Sequence, residues 1–251
     1  MDIINAFNIP EEGRIKQKVF IKDIFEQINA STQDKKIFSN EVKSIYLIGI
    51  VDVDTIRIPS FIDYDYKYES IYIFEVNLKS ILHLTKINEN LHSVFPNPII
   101  LIYRYNDTNI LSTALKRINK IDNEKSVIED IYVSDIFIYD EEHKLFYEML
   151  NLQKIDASHL KQLYETITDI IFSERLINII GFYPVKIQSA MNMRSIIKQI
   201  EIILSSIKVN EDRYKKETMM KDKIDIHIGI QKEKKQINNI VNKLKEDLKN
   251  G

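Results

Sequence analysis

Between Ser70 and Ser80 the chain reads S-I-Y-I-F-E-V-N-L-K-S, the cleanest alternation in the sequence. Tyr72, Phe74, Val76 and Leu78 fall on one face of an extended segment; Ile71, Ile73, Glu75, Asn77 and Lys79 fall on the other. The pattern predicts a strand with one face packed on a core. Its opposite face starts apolar and ends polar. Ser44 to Val51 is almost continuously apolar, as a central strand covered on both faces would be. Ile99–Tyr105 and Ile110–Ile118 flank the turn-forming run Asn106–Asn109 and read as a hairpin. Val127 to Ile138 reads as the last strand. Thr55 to Ile58 reads as a short partner strand ended by Pro59, and Asp63 to Glu69 as a polar-aromatic loop.

Helical spacing appears in three places before residue 140. Phe20, Ile24, Phe25 and Ile28 lie on one stripe, after an arm over residues 1–19 that reads as irregular. Ser31 and Asp34 form an N-cap with an acid in the first turn, ahead of the stripe Ile37, Phe38 and Val42. Leu84, Ile87, Leu91 and Val94 mark a helix from Leu82 to Val94, stopped by Pro96 and Pro98.

Beyond residue 140 the period changes from two to about 3.6. Leu160, Leu163, Tyr164, Ile167 and Ile170 make one helix; Met193, Ile196, Ile197, Ile200 and Leu204 make another, within Met191–Leu204. From about Lys208 charge dominates, and Ile230, Ile237, Val241, Leu244 and Leu248 form one narrow stripe that Gly229 should weaken or kink. A polar helix with a single seam needs a cover. It is expected to fold back on Met191–Leu204, leaving an outer seam for assembly, including an oligomer through the C-terminal helices. The fold class is therefore α+β. Residues 1–140 form a mixed or antiparallel sheet with flanking helices, and residues 141–251 a helical region with a coiled-coil-like hairpin.

Composition narrows the chemistry. A net charge of -2 over 251 residues gives no global basic field of the kind that marks nucleic-acid binders. Without cysteine there is no disulfide, thiolate zinc site or thiol nucleophile. Five glycines leave no G-x-G-x-x-G or P-loop. No basic region leads into an apolar run at the N-terminus, and no apolar run reaches membrane-spanning length, so a cytoplasmic protein without membrane contact is expected.

The nearest approach to a catalytic set is Glu75, Asn77 and Lys79, side by side on one face of a strand. Restriction-type nucleases place an acid and a lysine in this way, with a second acid from a neighbouring hairpin holding Mg²⁺. Asp63 or Asp65 would be that second acid. The usual spacing is acid-x-Lys, and here that slot reads Asn77-x-Lys79. The simpler reading is a strand end whose charges pair across strands, with no bound metal. His83, His92, His143, His159 and His227 lack ligand spacing and read as surface or cap histidines. Tyr64, Tyr66 and Tyr68, interleaved with charge, suit a protein contact. With Arg104, Lys116 and Arg117 nearby, they also suit a weak nucleic-acid contact.

In order along the chain come F-N-I-P, K-K-I-F-S-N-E-V-K-S-I-Y, D-T-I-R-I, Y-E-S-I-Y-I-F-E-V-N-L-K, P-N-P-I-I-L-I-Y-R-Y and L-S-T-A-L-K-R, then Lys- and Glu-rich helices. In that order and spacing the chain resembles a bacterial domain-of-unknown-function family, numbered 4391, encoded beside restriction-type helicases and DNA methyltransferases. The resemblance implies phage-defence or restriction-like company and carries no active site with it. The leading expectation is a non-catalytic accessory subunit. It would bind a helicase or methyltransferase through the terminal helices, at Ile237, Val241 and Leu244, and through the Tyr64–Tyr68 rim. A degenerate Mg²⁺-dependent nuclease and a nucleic-acid-binding module are the alternatives.

Overall fold

The computed structural model describes residues 2–28, 30–122, 125–184 and 190–250, with all of their side chains except those of 190–192 and 247–250. In chain order its elements are α1 (Ile3–Ala6), β1 (Arg14–Val19), α2 (Ile21–Gln27), α3 (Thr32–Glu41), β2 (Val42–Asp52), α4 (Val53–Ile56), β3 (Phe61–Ile62), β4 (Lys67–Tyr68) and β5 (Ser70–Leu78). There follow α5 (Leu84–Val94), β6 (Ile99–Tyr105), β7 (Thr108–Ile118), β8 (Ser126–Val133), α6 (Lys144–Met149), α7 (Leu160–Ser173), α8 (Leu176–Ile180), α9 (Ala190–Lys216) and α10 (Met220–Asn250). Two compact units part between Glu174 and Arg175.

The first unit is a six-stranded mixed sheet in the order β1-β2-β5-β6-β7-β8. All neighbours are antiparallel except β5 and β6, which run parallel and are joined through α5. This is the mixed α+β fold that the alternation predicts. Phe74, Val76 and Leu78 of β5 lie in one buried cluster with Ile24 of α2, Phe38 of α3, and Ile87 and Leu91 of α5. Residues of the opposite parity, Ile71, Ile73, Ile100 and Ile102, are buried as well. The sheet is thus covered on both faces. The N-cap predicted at Ser31 is present and closes as a capping box, with the Asp34 N–H on Ser31 Oγ and the Ser31 N–H on the Asp34 carboxylate, both at 3.1 Å.

Three elements differ from the sequence reading. Residues 14–19 form an edge strand rather than an irregular arm. Arg14, Lys16 and Lys18 supply the polar character that protects an exposed edge, and the same polarity hides the strand from a hydrophobic pattern. It starts beside Gly13, where a Cβ would collide with the Ile50 carbonyl oxygen. No strand forms at 55–58. Asp52 accepts the N–H groups of Asp54 and Thr55, at 3.1 and 3.0 Å, and winds the chain into the helical turn α4. Within the Asp63–Glu69 loop and its flanks, β3 and β4 pair as a small hairpin.

The helical pattern beginning near residue 141 does not mark the boundary between the units. Both α6 and α7 belong to the sheet unit. Tyr164 of α7 is fully buried, and its hydroxyl sits where β6 and β7 stop pairing. It accepts the Ala114 N–H at 3.0 Å and lies 2.8 Å from Ile99 O and 3.1 Å from Ala114 O. One phenol thereby serves three backbone groups that the ladder leaves open.

The second unit contains the predicted helical hairpin. Ile203 and Ile207 of α9 are buried with Ile230 of α10, and Ile226, Ile237 and Ile240 pack against them. Ser206 Oγ donates to Glu233 at 2.6 Å, and Lys234 pairs with Glu211 at 3.1 Å. The helix α10 passes through Gly229 without interruption. Leu248, the last of the predicted stripe, lies outside the residues whose side chains are described.

Candidate functional site

The residues suspected of chemistry separate to the two ends of β7. At the Asn109 end, Arg104 of β6 is surrounded by acceptors. Its Nε donates to Glu75 at 3.2 Å and its Nη1 to Asn109 Oδ1 at 3.1 Å, while its Nη2 pairs with Asp2. Glu75 is half-buried and is held by this arginine. Lys79 lies past the end of β5, where its Nζ donates to Ser39 O at 2.9 Å. It thus caps the C-terminal carbonyls of α3.

The acids proposed to join Glu75 are elsewhere. Asp63 folds onto its own hairpin, its Oδ1 accepting the N–H groups of Asp65 and Tyr66 at 2.8 and 2.7 Å. Desolvation works against its charge, but the two amides prevail and hold the carboxyl below its usual range. Asp65 pairs with Lys120 at 2.9 Å, and its carbonyl accepts the Ile118 N–H at 2.7 Å. From Asn109 to Ile118 is nine steps along β7, about 30 Å of extended chain. Glu75 and Lys79 therefore do not converge with Asp63 or Asp65, and that Mg²⁺ site is not assembled. Among the described residues no group of three or more His, Asp or Glu side chains has metal-holding geometry.

At the Ile118 end, the tyrosine rim is only partly available. Tyr64 is 81% exposed, and Lys120 Nζ lies 3.3 Å from its ring centre. Tyr66 is half-buried, with Lys161 Nζ 3.6 Å from its ring and its hydroxyl 3.4 Å from Glu129. Tyr68 is buried against Tyr164 at 5.8 Å, so it belongs to the core and not to the rim. Arg117 reaches Glu129 at 4.0 Å.

Of the terminal-helix residues expected to meet a partner, Leu244 is buried, whereas Ile237 and Val241 are half-buried. The apolar side chains left open are others: Ile202, Leu204 and Val209 on α9, and Ile224 and Ile228 on α10. Of these, sequence reasoning had named only Leu204, as an inward residue. The available signal was an isoleucine recurring off the inward stripe.

Two histidines are core residues rather than surface ones. His92 is fully buried, its Nε2 2.9 Å from Ser112 Oγ; burial, with Lys116 nearby, holds its pKa well below the ordinary value. His143 stands between Asp140 at 2.7 Å and Glu174 at 3.2 Å. Burial opposes its charge, but these two carboxylates outweigh it and raise its pKa. His83 and His159 occupy the N-cap positions of α5 and α7, as expected of cap histidines.

A family model described as a domain of unknown function, DUF4391, matches residues 7–237. The chain belongs to this family. No curated protein and no solved structure matches this DUF4391 chain. Among its described residues no helix is long and apolar enough to cross a membrane.

Proposed function

We propose that this DUF4391 chain is a non-catalytic accessory subunit of a bacterial phage-defence or restriction-like DNA-processing system. Its partner would be a helicase or DNA methyltransferase of the same system. The observation that carries this reading is the apolar row left open on the hairpin. Ile202 and Val209, seven residues apart on α9, are 70% and 67% exposed, and Ile224 and Ile228 of α10 are also exposed. Apolar side chains recurring at helical spacing on a charged surface suit docking into a groove on another protein. The engagement of Glu75, Asp63 and Asp65 by Arg104, backbone amides and Lys120 supports the same reading. The kind of partner follows from the family resemblance. Tyr64, with Tyr66 behind it, offers a second contact rich in aromatic surface.

Co-production of the tagged chain with the helicase and methyltransferase of its own system tests the proposal. The expected result is a stable complex that dissociates when Ile202→Lys and Val209→Lys are combined. A chain that purifies alone from such cells, or a complex indifferent to the double variant, would count against it.

A further inference from the structure

Beside the Ile118 end of β7 is a cavity of about 160 Å³, room for several water molecules. Lys67 of β4, Lys116 and Arg117 of β7, and Lys125 at the start of β8 all line it, with Pro96 and Pro98 of the α5–β6 loop. Among the described residues no carboxylate lines it. Three of the cations have acidic partners that are not part of the lining: Lys67 pairs with Glu69 at 2.8 Å, Lys125 with Asp122 at 2.8 Å, and Arg117 with Glu129 at 4.0 Å.

Lys116 is different. It is 4% exposed, and among the described residues it forms no ion pair with a carboxylate. Its Nζ donates to Phe95 O at 2.7 Å and to Asn97 O at 3.1 Å. An ammonium carries three N–H donors, so one remains. Desolvation pushes the Lys116 pKa down to about 7. A buried amine beside three further cations is costly without a counter-charge, and an anion in the cavity would supply one.

We infer that this cavity binds the terminal phosphate of a phosphomonoester, with Lys116 at its base and Lys67 and Arg117 at its mouth. A terminal phosphate carries close to two negative charges and three acceptor oxygens, which suits several donors converging on a small recess. A carboxylate, with one charge, would leave more of the lining uncompensated. The phosphate can come from a free mononucleotide-sized metabolite or from the 5′ end of a nucleic acid. The inference is independent of the accessory-subunit reading, because it uses no residue of the α9–α10 hairpin and neither Tyr64 nor Tyr66.

Calorimetric titration of the full chain with adenosine 5′-monophosphate and with adenosine tests it, followed by competition with oligonucleotides carrying a 5′-phosphate or a 5′-hydroxyl. The phosphorylated nucleoside should bind and adenosine should not. Lys67→Gln and Arg117→Gln should each weaken binding by about tenfold. Lys116 faces Lys67, Arg117, Lys125 and neutral His92, so it takes up a proton as the anion enters. Affinity should therefore fall as pH rises from about 6.5 to 8, and Lys116→Met should remove that dependence. Displacement by the 5′-phosphorylated oligonucleotide identifies a nucleic-acid end as the source; displacement by mononucleotide alone identifies a small metabolite. Equal binding of adenosine, equal competition by the 5′-hydroxyl strand, no phosphate binding at all, or an unchanged affinity in the combined Lys67→Gln, Arg117→Gln variant would each overturn the inference. The two surface variants keep the test valid should Lys116→Met fail to fold.

Discussion

At Asn109, β7 meets an arginine already enclosed by Glu75, Asp2 and the Asn109 amide, with the His143 pair behind it stacked on Phe137 at 5.4 Å. At Ile118 the same strand meets cations that line a cavity while their acidic partners lie outside the lining. Residue types at the two ends are alike; what differs is where the counter-charges sit. A cation ringed by carboxylates and amides fixes the fold and has nothing left to offer a ligand. A cation that lines a recess, with its acidic partner outside it, still has electrostatic energy to release on binding. Suspicion of chemistry belongs with the second arrangement, although the first contains the residues that look more catalytic in the sequence.

The largest effect should come from the group between the two ends. Tyr164→Phe deprives Ala114 N, Ala114 O and Ile99 O of their shared partner, at a cost of about 3 kcal/mol. Urea denaturation reads this directly, and a loss below about 1 kcal/mol would mean that water replaces the phenol. Next is Arg104→Met, expected to cost about 2 kcal/mol because the half-buried Glu75 loses its cation. If Glu75 instead held a metal, Mg²⁺ would raise the melting temperature of the wild-type chain but not of Glu75→Gln; no such difference is expected. A smaller effect depends on pH. The raised pKa of His143 means that its contribution is complete below about pH 6.5 and is lost as pH rises through the folded-state value. The melting-temperature gap between wild type and His143→Gln should therefore close on going from about pH 6 to pH 8. A gap that widens instead would show that the imidazole is neutral in the folded chain. Smallest of all is Lys79→Met, which removes an exposed cap from α3 and should cost about 0.5 kcal/mol. Loss of an enzymatic activity in that variant would restore Lys79 to the list of reactive groups.

The alternation of β5 and the near-continuous apolar run of β2 were legible because burial on one or both faces writes itself into side-chain type. The hairpin at Asn106 was legible because a left-handed φ of 51° favours asparagine. The edge strand β1 was not legible, since its residues face water and pair only through the backbone. Thr55–Ile58 was misread as a strand for a related reason: the capping side chain of Asp52 outweighed the strand propensity of Thr55, Ile56 and Ile58. The cavity was harder still, because its lining comes from β4, the α5–β6 loop, β7 and the approach to β8, which only the fold brings together. Strand parity gave no sign of it, because both faces of β7 are buried from Asn109 to Ala114 and the register shifts between Leu115 and Lys116. Glu75 misled in the opposite sense, because nothing local to β5 reveals that Arg104 lies beside it.

The bonds that close the sheet unit join residues far apart in the chain: Asp2 to Arg104, and Asn8 to Asn151 at 3.3 Å. Those of the hairpin join neighbours some two dozen positions apart, Ser206 to Glu233 and Glu211 to Lys234. Loop closure makes contacts of the first kind slow to form and those of the second kind fast. During synthesis Asp2 and Asn8 therefore wait for partners 102 and 143 residues further on, whereas the helical hairpin can zip up soon after it emerges. Chaperone capture of the nascent chain should concentrate on the stage at which the sheet unit is incomplete and fade before α10 is made.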